Sequence, residues 1–392
     1  MSQEKLVYLD YAATTPVDPE VIHAMEPYWA ENFGNPGSVH KHGQAAVKAV
    51  DNARERVKEC IGAHALREVI FTGSATEANN LAIQGVISRF AFRDGKKVHV
   101  ITSTIEHPSI LEPYKYAEAK GLADVTFVRP DSEGRIAPED IKKEFRPDTV
   151  LVSVGYANNE IGVVQPISEI AKIVKEFRGP KKTPYIHTDA VQAVQFLDTH
   201  VERLGVDLMT MSAHKIYGPK GVGALYIRDG VSLQPLMYGG NQEYGIRPAT
   251  ENVSLIAGFA EAMRLAHKQK EEDIFKRVQK LRDDIFPKIQ NIAPLAQWNG
   301  TREHCLPNII NVSFPRESGE LLLIGLSERG VCVSSGSACR ARAQEPSYVL
   351  QELGKTKEEA RSSIRISLGK YSTKNDVDMF VDALSALLHN RK

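Results

Sequence analysis

Cysteine is scarce in this 392-residue chain, with four residues, Cys60, Cys305, Cys332 and Cys339. So few, so widely scattered, exclude a disulfide framework, and the lack of any CxxC pair argues against a structural zinc site. A net charge is also missing: 49 basic residues balance 49 acidic ones, which leaves no broad surface for nucleic acid or another polyanion. No uninterrupted apolar run is long enough to cross a bilayer. Strand-like residues begin at Leu6-Val7-Tyr8-Leu9-Asp10, leaving no room for a secretory leader, so a soluble, non-secreted, cytoplasmic protein is expected. Internal repeats and low-complexity tracts are absent. Aromatics make up only 7% of the chain, yet 42% is hydrophobic, enough for a sizeable core and for two domains.

What is present is an alternation. Apolar runs at Glu68–Phe71, Val98–Ile101, Val125–Val128, Val150–Val154 and Asp207–Met211 are separated by helix-length amphipathic segments. That pattern predicts a mainly parallel sheet covered by helices, whose ligands bind beyond the carboxyl ends of the strands. From Glu251 to about Ile289 the period is helical, interrupted mainly at Pro287, and this stretch bridges into a second unit. The remainder, with strand-like Ile309–Phe314 and Ser363–Leu368, reads as a smaller α+β domain that the first dozen residues join.

Chemistry-bearing residues fall just past these strands. Lys215 lies in Met211-Ser212-Ala213-His214-Lys215, and Asp189 and Gln192 lie in Ile186-His187-Thr188-Asp189-Ala190-Val191-Gln192. A lysine amine can form a Schiff base with an aldehyde, and a carboxylate can keep a pyridine nitrogen protonated; together they suit pyridoxal 5'-phosphate. Gln192 can hydrogen-bond the ring oxygen, and Ser212 and His214 can donate to phosphate. Phe71-Thr72-Gly73-Ser74-Ala75-Thr76-Glu77 carries a strand through a small-residue turn into a helix. Ser74 and Glu77 match a capping box, and Thr76 adds a hydroxyl beside the helix amino terminus, where an anion can sit. An ordinary capped helix is the alternative. His107, in Glu106-His107-Pro108-Ser109, can stack on a flat ring and move protons, or be a structural histidine. Asn158, in Ala157-Asn158-Asn159-Glu160, can hold a ring oxygen or a substrate carboxylate, or simply build an Asn-rich turn.

Cys339 sits in Ser334-Ser335-Gly336-Ser337-Ala338-Cys339-Arg340-Ala341-Arg342, a small-residue run that reads as an exposed, mobile loop. Arg340 and Arg342 favour its thiolate, although a solvated loop cysteine is the alternative. Cys332, between two valines, reads as buried and inert.

Taken together, the chain resembles the cysteine desulfurases, in the group I branch of NifS and IscS type, within the class-V aminotransferases. The resemblance runs from Tyr8-Leu9-Asp10-Tyr11-Ala12-Ala13-Thr14-Thr15-Pro16 through Phe33-Gly34-Asn35-Pro36-Gly37-Ser38 to Ser363-Ile364-Arg365-Ile366-Ser367-Leu368-Gly369. It implies the aspartate-aminotransferase-like fold type I of pyridoxal-phosphate enzymes: a large α/β domain, residues 16–261, with a mainly parallel seven-stranded sheet, and a small α+β domain, residues 1–15 and 262–392, carrying the cysteine loop. It also implies roles. Lys215 would bind the cofactor covalently and Asp189 would hold the pyridine nitrogen. Gln192 and Asn158 would serve the ring oxygen, and His107 the ring face. Ala75, Thr76, Ser212 and His214 would bind the phosphate, and Thr250 would reach the phosphate of a second subunit in a homodimer. Arg365 would pair with the carboxylate of L-cysteine. Cys339 would take the sulfur as a persulfide and pass it to an acceptor such as an iron–sulfur scaffold or a thiouridylation factor. No resident metal is implied; Cys339 is at most a transient iron–sulfur ligand.

The chain departs from the family pattern at Pro248-Ala249, at Asn241 after Gly239-Gly240, and at Arg340 and Arg342. Proline fixes one dihedral, so a changed backbone path is expected near Thr250. Two other readings stand beside the desulfurase: another pyridoxal-phosphate enzyme, such as a selenocysteine lyase or aminotransferase with Cys339 incidental, and a catalytically silent scaffold.

Overall fold

The computed structural model describes residues 6–271, 274–336 and 345–389. In chain order the strands are β1 (Val7–Tyr8), β2 (Val69–Thr72), β3 (Val98–Ser103), β4 (Ala123–Val128), β5 (Thr149–Ser153), β6 (Tyr185–Asp189), β7 (Leu208–Ser212), β8 (Gly223–Ile227), β9 (Gln297–Trp298), β10 (Ile309–Ser313), β11 (Val331–Cys332) and β12 (Ser363–Ser367).

Seven of them form one sheet in the order β2-β8-β7-β6-β5-β3-β4. The order is parallel from β4 to β7, and β8 runs antiparallel to both its neighbours. Strands β3, β5 and β7 are buried along their whole length, which is why they read as continuous apolar runs rather than as alternating ones. The edge strand β4 carries partly exposed residues. One face is covered by the helices Lys41–Ile61, Ile167–Arg178 and Val253–Glu271, the other by Ala75–Asp94 and Pro108–Ala119.

Strand β8 escaped the sequence reading for a physical reason. Being antiparallel, it needs no crossover helix before it, and it follows β7 after the loop 213–222, which holds only the short turn Ala213–Lys215. Glu68, expected to open a strand, instead closes the short helical turn Leu66–Glu68. Its carboxylate accepts the His64 and Ala65 amides at 2.7 and 2.9 Å.

A second apolar core lies between the antiparallel sheet β12-β10-β9 and the helices Ile274–Ile292, Gly319–Glu328 and Lys374–His389. The amino-terminal segment joins this region: β1 pairs in parallel with β11, and Asp10 bridges to Ser367. The helical stretch expected from Glu251 contains two helices, Val253–Glu271 and Ile274–Ile292. The second runs through Pro287 rather than breaking there. Proline forfeits one backbone donor, but the face of Val278, Leu281, Ile285, Phe286 and Ile289 is buried and holds the helix on the core. Cys332 is only partly buried, because β11 pairs with β1 alone at the margin of this region. No helix among the described residues is long and apolar enough to cross a membrane.

Candidate active site

The parallel strands deliver their side chains to one rim. Asp189 ends β6, Lys215 closes the short turn Ala213–Lys215 after β7, His107 follows β3, Asn158 follows β5, and Ala75 opens the helix after β2. These residues line one cavity of about 320 Å³ together with Thr76, Gln192, Ser212, His214 and Arg365. The opposing wall comes from outside the large sheet: Ala12 and Ala13 from the amino-terminal segment, Arg365 from β12, and Gly336.

Lys215 Nζ donates to the Ala12 and Ala13 carbonyls at 2.6 and 2.8 Å, and Gln192 Nε2 donates to Ala12 O at 3.0 Å. The Asp189 carboxylate is held at both oxygens: Oδ1 accepts the Val191 amide at 2.9 Å and Oδ2 accepts Asn79 Nδ2 at 2.8 Å. A carboxylate so fixed can still accept from a protonated ring nitrogen. His107 caps the helix Pro108–Ala119. Its Nδ1 accepts the Ser109 amide at 3.1 Å and lies 2.7 Å from Ser109 Oγ. Burial lowers the His107 pKa below the ordinary imidazole value, opposed by the Asp189 charge and aided by Lys215.

At the helix Ala75–Asp94, the Ser74 hydroxyl accepts the Glu77 amide at 3.1 Å, as the capping box requires. The reciprocal half is displaced. Glu77 reaches the Gly73 amide at 2.7 Å and also pairs with Arg247 at 2.6 Å. Ala75 and Thr76 lie in the first turn, where a helix leaves its amides without intrahelical partners. Gly223 allows this turn to sit against β8, since a Cβ there would come within 3.0 Å of Met211 O, Ser74 C and Ala75 N. His214 Nδ1 meets Thr14 Oγ1 at 3.2 Å, and burial pushes its pKa down to about 4. On the protein's own charges it is therefore neutral at pH 7, and a phosphate beside it would favour its protonated form.

Arg365 is 2% exposed. Its Nη1 donates to Asn159 O at 2.9 Å and Gly336 O at 2.8 Å, and Nη2 to Asp10 Oδ1 at 2.6 Å. Its Nε has no partner among the described residues. Asn158 is both ligand candidate and turn builder: Oδ1 accepts the Glu160 and Ile161 amides at 2.8 and 3.1 Å, while Nδ2 donates to Ile105 O at 3.0 Å. Thr250 is exposed and does not line the cavity. Cys339, Arg340 and Arg342 lie outside the described residues.

Sequence reasoning missed Asn79, Ser109 and Glu106. Asn79 follows Thr76 by three residues and so shares its helix face, a periodicity signal that was available. Glu106 is buried in the cavity wall, with Ser103 Oγ at 2.5 Å and the Gly155 amide at 2.9 Å, and burial raises its pKa to about 7. Nothing in its spacing announced this.

Asparagine-held carboxylate, strand-end lysine, helix amino terminus and buried arginine form a donor set that fits pyridoxal 5'-phosphate. Residues 7–380 match the family model described as aminotransferase class-V. Cysteine desulfurase IscS of Dictyoglomus turgidum is 46% identical over 97% of this chain and 94% of its own. The chain belongs to the class-V aminotransferases, on their cysteine desulfurase branch. A solved NifS-like protein is 37% identical and superposes with a TM-score of 0.90 over 98% of this chain and all of its own. A second solved relative, SspA in complex with cysteine, is also 37% identical, with a TM-score of 0.79 over 93% of this chain and 99% of its own. The chain is accordingly a pyridoxal-phosphate enzyme of fold type I, as its sequence motifs imply.

Proposed function

We propose that this desulfurase removes sulfur from L-cysteine, releasing L-alanine and leaving a persulfide on Cys339. The observation that carries the reading is the convergence of Lys215, Asp189, His107 and Arg365, from four separate segments, on one cavity of about 320 Å³. When bound, pyridoxal phosphate supplies an electron sink conjugated to the substrate α-carbon. Everything else falls to the chain. Lys215 would hold the cofactor covalently, and its free amine would take the substrate α-proton at Nζ. Asp189 keeps the pyridine nitrogen protonated, and Gln192 and Asn158 serve the ring oxygen. His107 covers the ring face, while Ala75, Thr76, Ser212 and His214 hold the phosphate. Arg365, lining the cavity and held by Asp10, offers its guanidinium to the substrate carboxylate. The Cys339 thiolate attacks the substrate sulfur: an S–S bond forms, the C–S bond breaks, and its electron pair returns to carbon, which leaves as alanine after protonation.

The molecule is proposed to act in the cytoplasm as a homodimer in which exposed Thr250 reaches the partner's phosphate site. The persulfide sulfur passes to an acceptor protein, such as an iron–sulfur scaffold or a thiouridylation factor. The division into residues 16–261 and residues 1–15 with 262–392 draws on the two apolar cores, although the helix Val253–Glu271 packs on the first core as far as Ala266 and the second takes over from Val278.

Cys339→Ala tests the mechanism. The variant should bind the cofactor and fail to release sulfide and alanine from L-cysteine. Retained turnover would sink the persulfide route and favour a lyase or aminotransferase in which Cys339 is incidental.

A further inference from the structure

Buried polar side chains connect two of the site residues. Asn79 is 0% exposed, and its Nδ2 donates both to Asp189 Oδ2 at 2.8 Å and to Ser109 Oγ at 2.9 Å. Ser109 Oγ in turn lies 2.7 Å from His107 Nδ1. Asp189, Asn79, Ser109 and His107 therefore form one continuous row, drawn from β6 and from the amino-terminal turns of two helices.

The proton positions along this row follow from donor and acceptor chemistry. An ionised Asp189 carboxylate only accepts, so it must face the amide nitrogen of Asn79 rather than its oxygen. The second hydrogen of that amide fills a lone pair of Ser109 Oγ. At the other end, the Ser109 backbone N–H points at His107 Nδ1, 3.1 Å away, and a backbone N–H can only donate. A hydrogen on Nδ1 would oppose it. Nδ1 must therefore be bare, and the Ser109 hydroxyl hydrogen turns toward it.

We propose that Asn79 and Ser109 are positioning residues that lock His107 as the neutral tautomer carrying its hydrogen on Nε2. His107 lines the cavity, so it meets bound cofactor and substrate as a hydrogen-bond donor and not as a base. Burial disfavours a second proton there, opposed by the Asp189 charge and aided by Lys215 and by the helix amino terminus that His107 caps. Because Asn79 shares its amide between Asp189 and Ser109, the orientation of that amide and the tautomer of the imidazole are set together. This consequence for catalysis rests on the desulfurase reading; the tautomer itself does not.

The test is ¹⁵N NMR of the histidine rings in the full-length holoenzyme, assigned with His107→Gln. Between pH 6 and 8 the His107 ring should show a bare Nδ1, a protonated Nε2 and no titration. Ser109→Ala keeps the backbone but removes the hydroxyl donor. It should leave Nδ1 bare, because the Ser109 amide still points at it, but shift the Nδ1 resonance toward that of a ring nitrogen accepting one hydrogen bond instead of two. Ser109→Thr should restore the wild-type signature. A protonated Nδ1 in the wild type, or a Ser109→Ala spectrum identical to it, overturns the proposal. Wild-type ring signals as expected, with no alanine formed from L-cysteine, would overturn the desulfurase reading and leave the tautomer lock standing.

Discussion

Two side chains at the rim of the cavity illustrate opposite uses of burial. Lys215 keeps its ammonium between two carbonyls, a placement suited to a group that must later bond to a ligand. Lys215→Ala should yield protein that loses its cofactor absorbance on desalting and turns over L-cysteine at least about 10²-fold more slowly; colour that survives desalting would contradict a covalent hold. Glu106, by contrast, is buried with a pKa raised from the ordinary 4.5 to about 7. The native state keeps this proton where the unfolded chain has lost it. The stability it confers is complete below pH 4.5 and is lost as pH rises through about 7. Glu106→Gln keeps an acceptor for the Gly155 amide, and Ser103, which donates to Glu106, can turn its hydroxyl to accept from the new amide N–H. Relative to wild type, the variant should gain stability on moving from pH 5 to pH 8, by an amount on the order of a few kcal/mol. Denaturant melts at the two pH values measure this, and a pH-independent difference would show that Glu106 ionises freely. Lys215 was legible in the sequence because its neighbours form a motif. Glu106 was not, because its burial comes from chain segments far from it in sequence.

At the scale of elements, the turn between β2 and the helix Ala75–Asp94 is the part most tightly built. Gly223 of β8 backs against it, and the 241–250 loop is tied to the same region by Arg247 on Glu77 and by a buried Arg54–Glu243 pair at 2.7 Å. Glu243 and Tyr244 both hold left-handed backbone, at φ of 46° and 59°, a conformation costing roughly 1–2 kcal/mol per residue that the surroundings must impose. Glu243 is fastened by Arg54 and by the Phe71 amide at 2.9 Å. Glu243→Ala should therefore destabilise by about 3–5 kcal/mol, since it strands a buried guanidinium. Replacing both partners, as in Arg54→Met with Glu243→Leu, should recover part of that loss in denaturant melts; a single variant as stable as wild type would mean the pair is not buried in solution. Gly223→Ala acts differently. Its new methyl meets backbone at Ser74 and Ala75, so cofactor affinity should fall by about tenfold or more while the melting temperature drops only modestly. Equal losses in both would deny the turn a role in phosphate binding. The strand–helix alternation made this region readable, and Ser74 with Glu77 announced the cap. The displaced contact of Glu77 with Gly73 did not show, because Arg247 that draws it comes from 170 positions away. The family departure at Pro248 is accommodated rather than disruptive: the ring is buried, with Gly239 leaving it room.

Across the whole molecule, equal numbers of acidic and basic residues leave little net self-repulsion near neutrality, so acid sensitivity should come from particular buried groups. Three histidines stand out. Burial lowers His187 to about 3, and His99 and His214 to about 4. His187 sits at the centre of the large sheet between Ser153 Oγ at 2.7 Å and Thr210 Oγ1 at 3.1 Å, and His99 between Thr149 and Thr126 hydroxyls at 2.8 and 2.9 Å. These rings remain neutral in the native state while the unfolded chain protonates them below about 6.5. Their contribution is therefore present above pH 6.5 and lost as pH falls toward their native values. Glu106 works in the opposite direction over pH 7 to 4.5, holding one proton that the unfolded chain lacks. With His107, whose pKa burial also lowers, four rings favour protonation of the unfolded state against one proton favouring the native state, so stability should fall as pH drops from 6.5 to 4.5. Each uncompensated proton contributes about 1.4 kcal/mol per pH unit. His187→Gln removes one such group and should flatten the acid limb by about that amount per unit, read from urea melts at half-unit intervals. A wild-type limb that is flat across this range, or unchanged in the variant, would mean that these rings take up protons without unfolding.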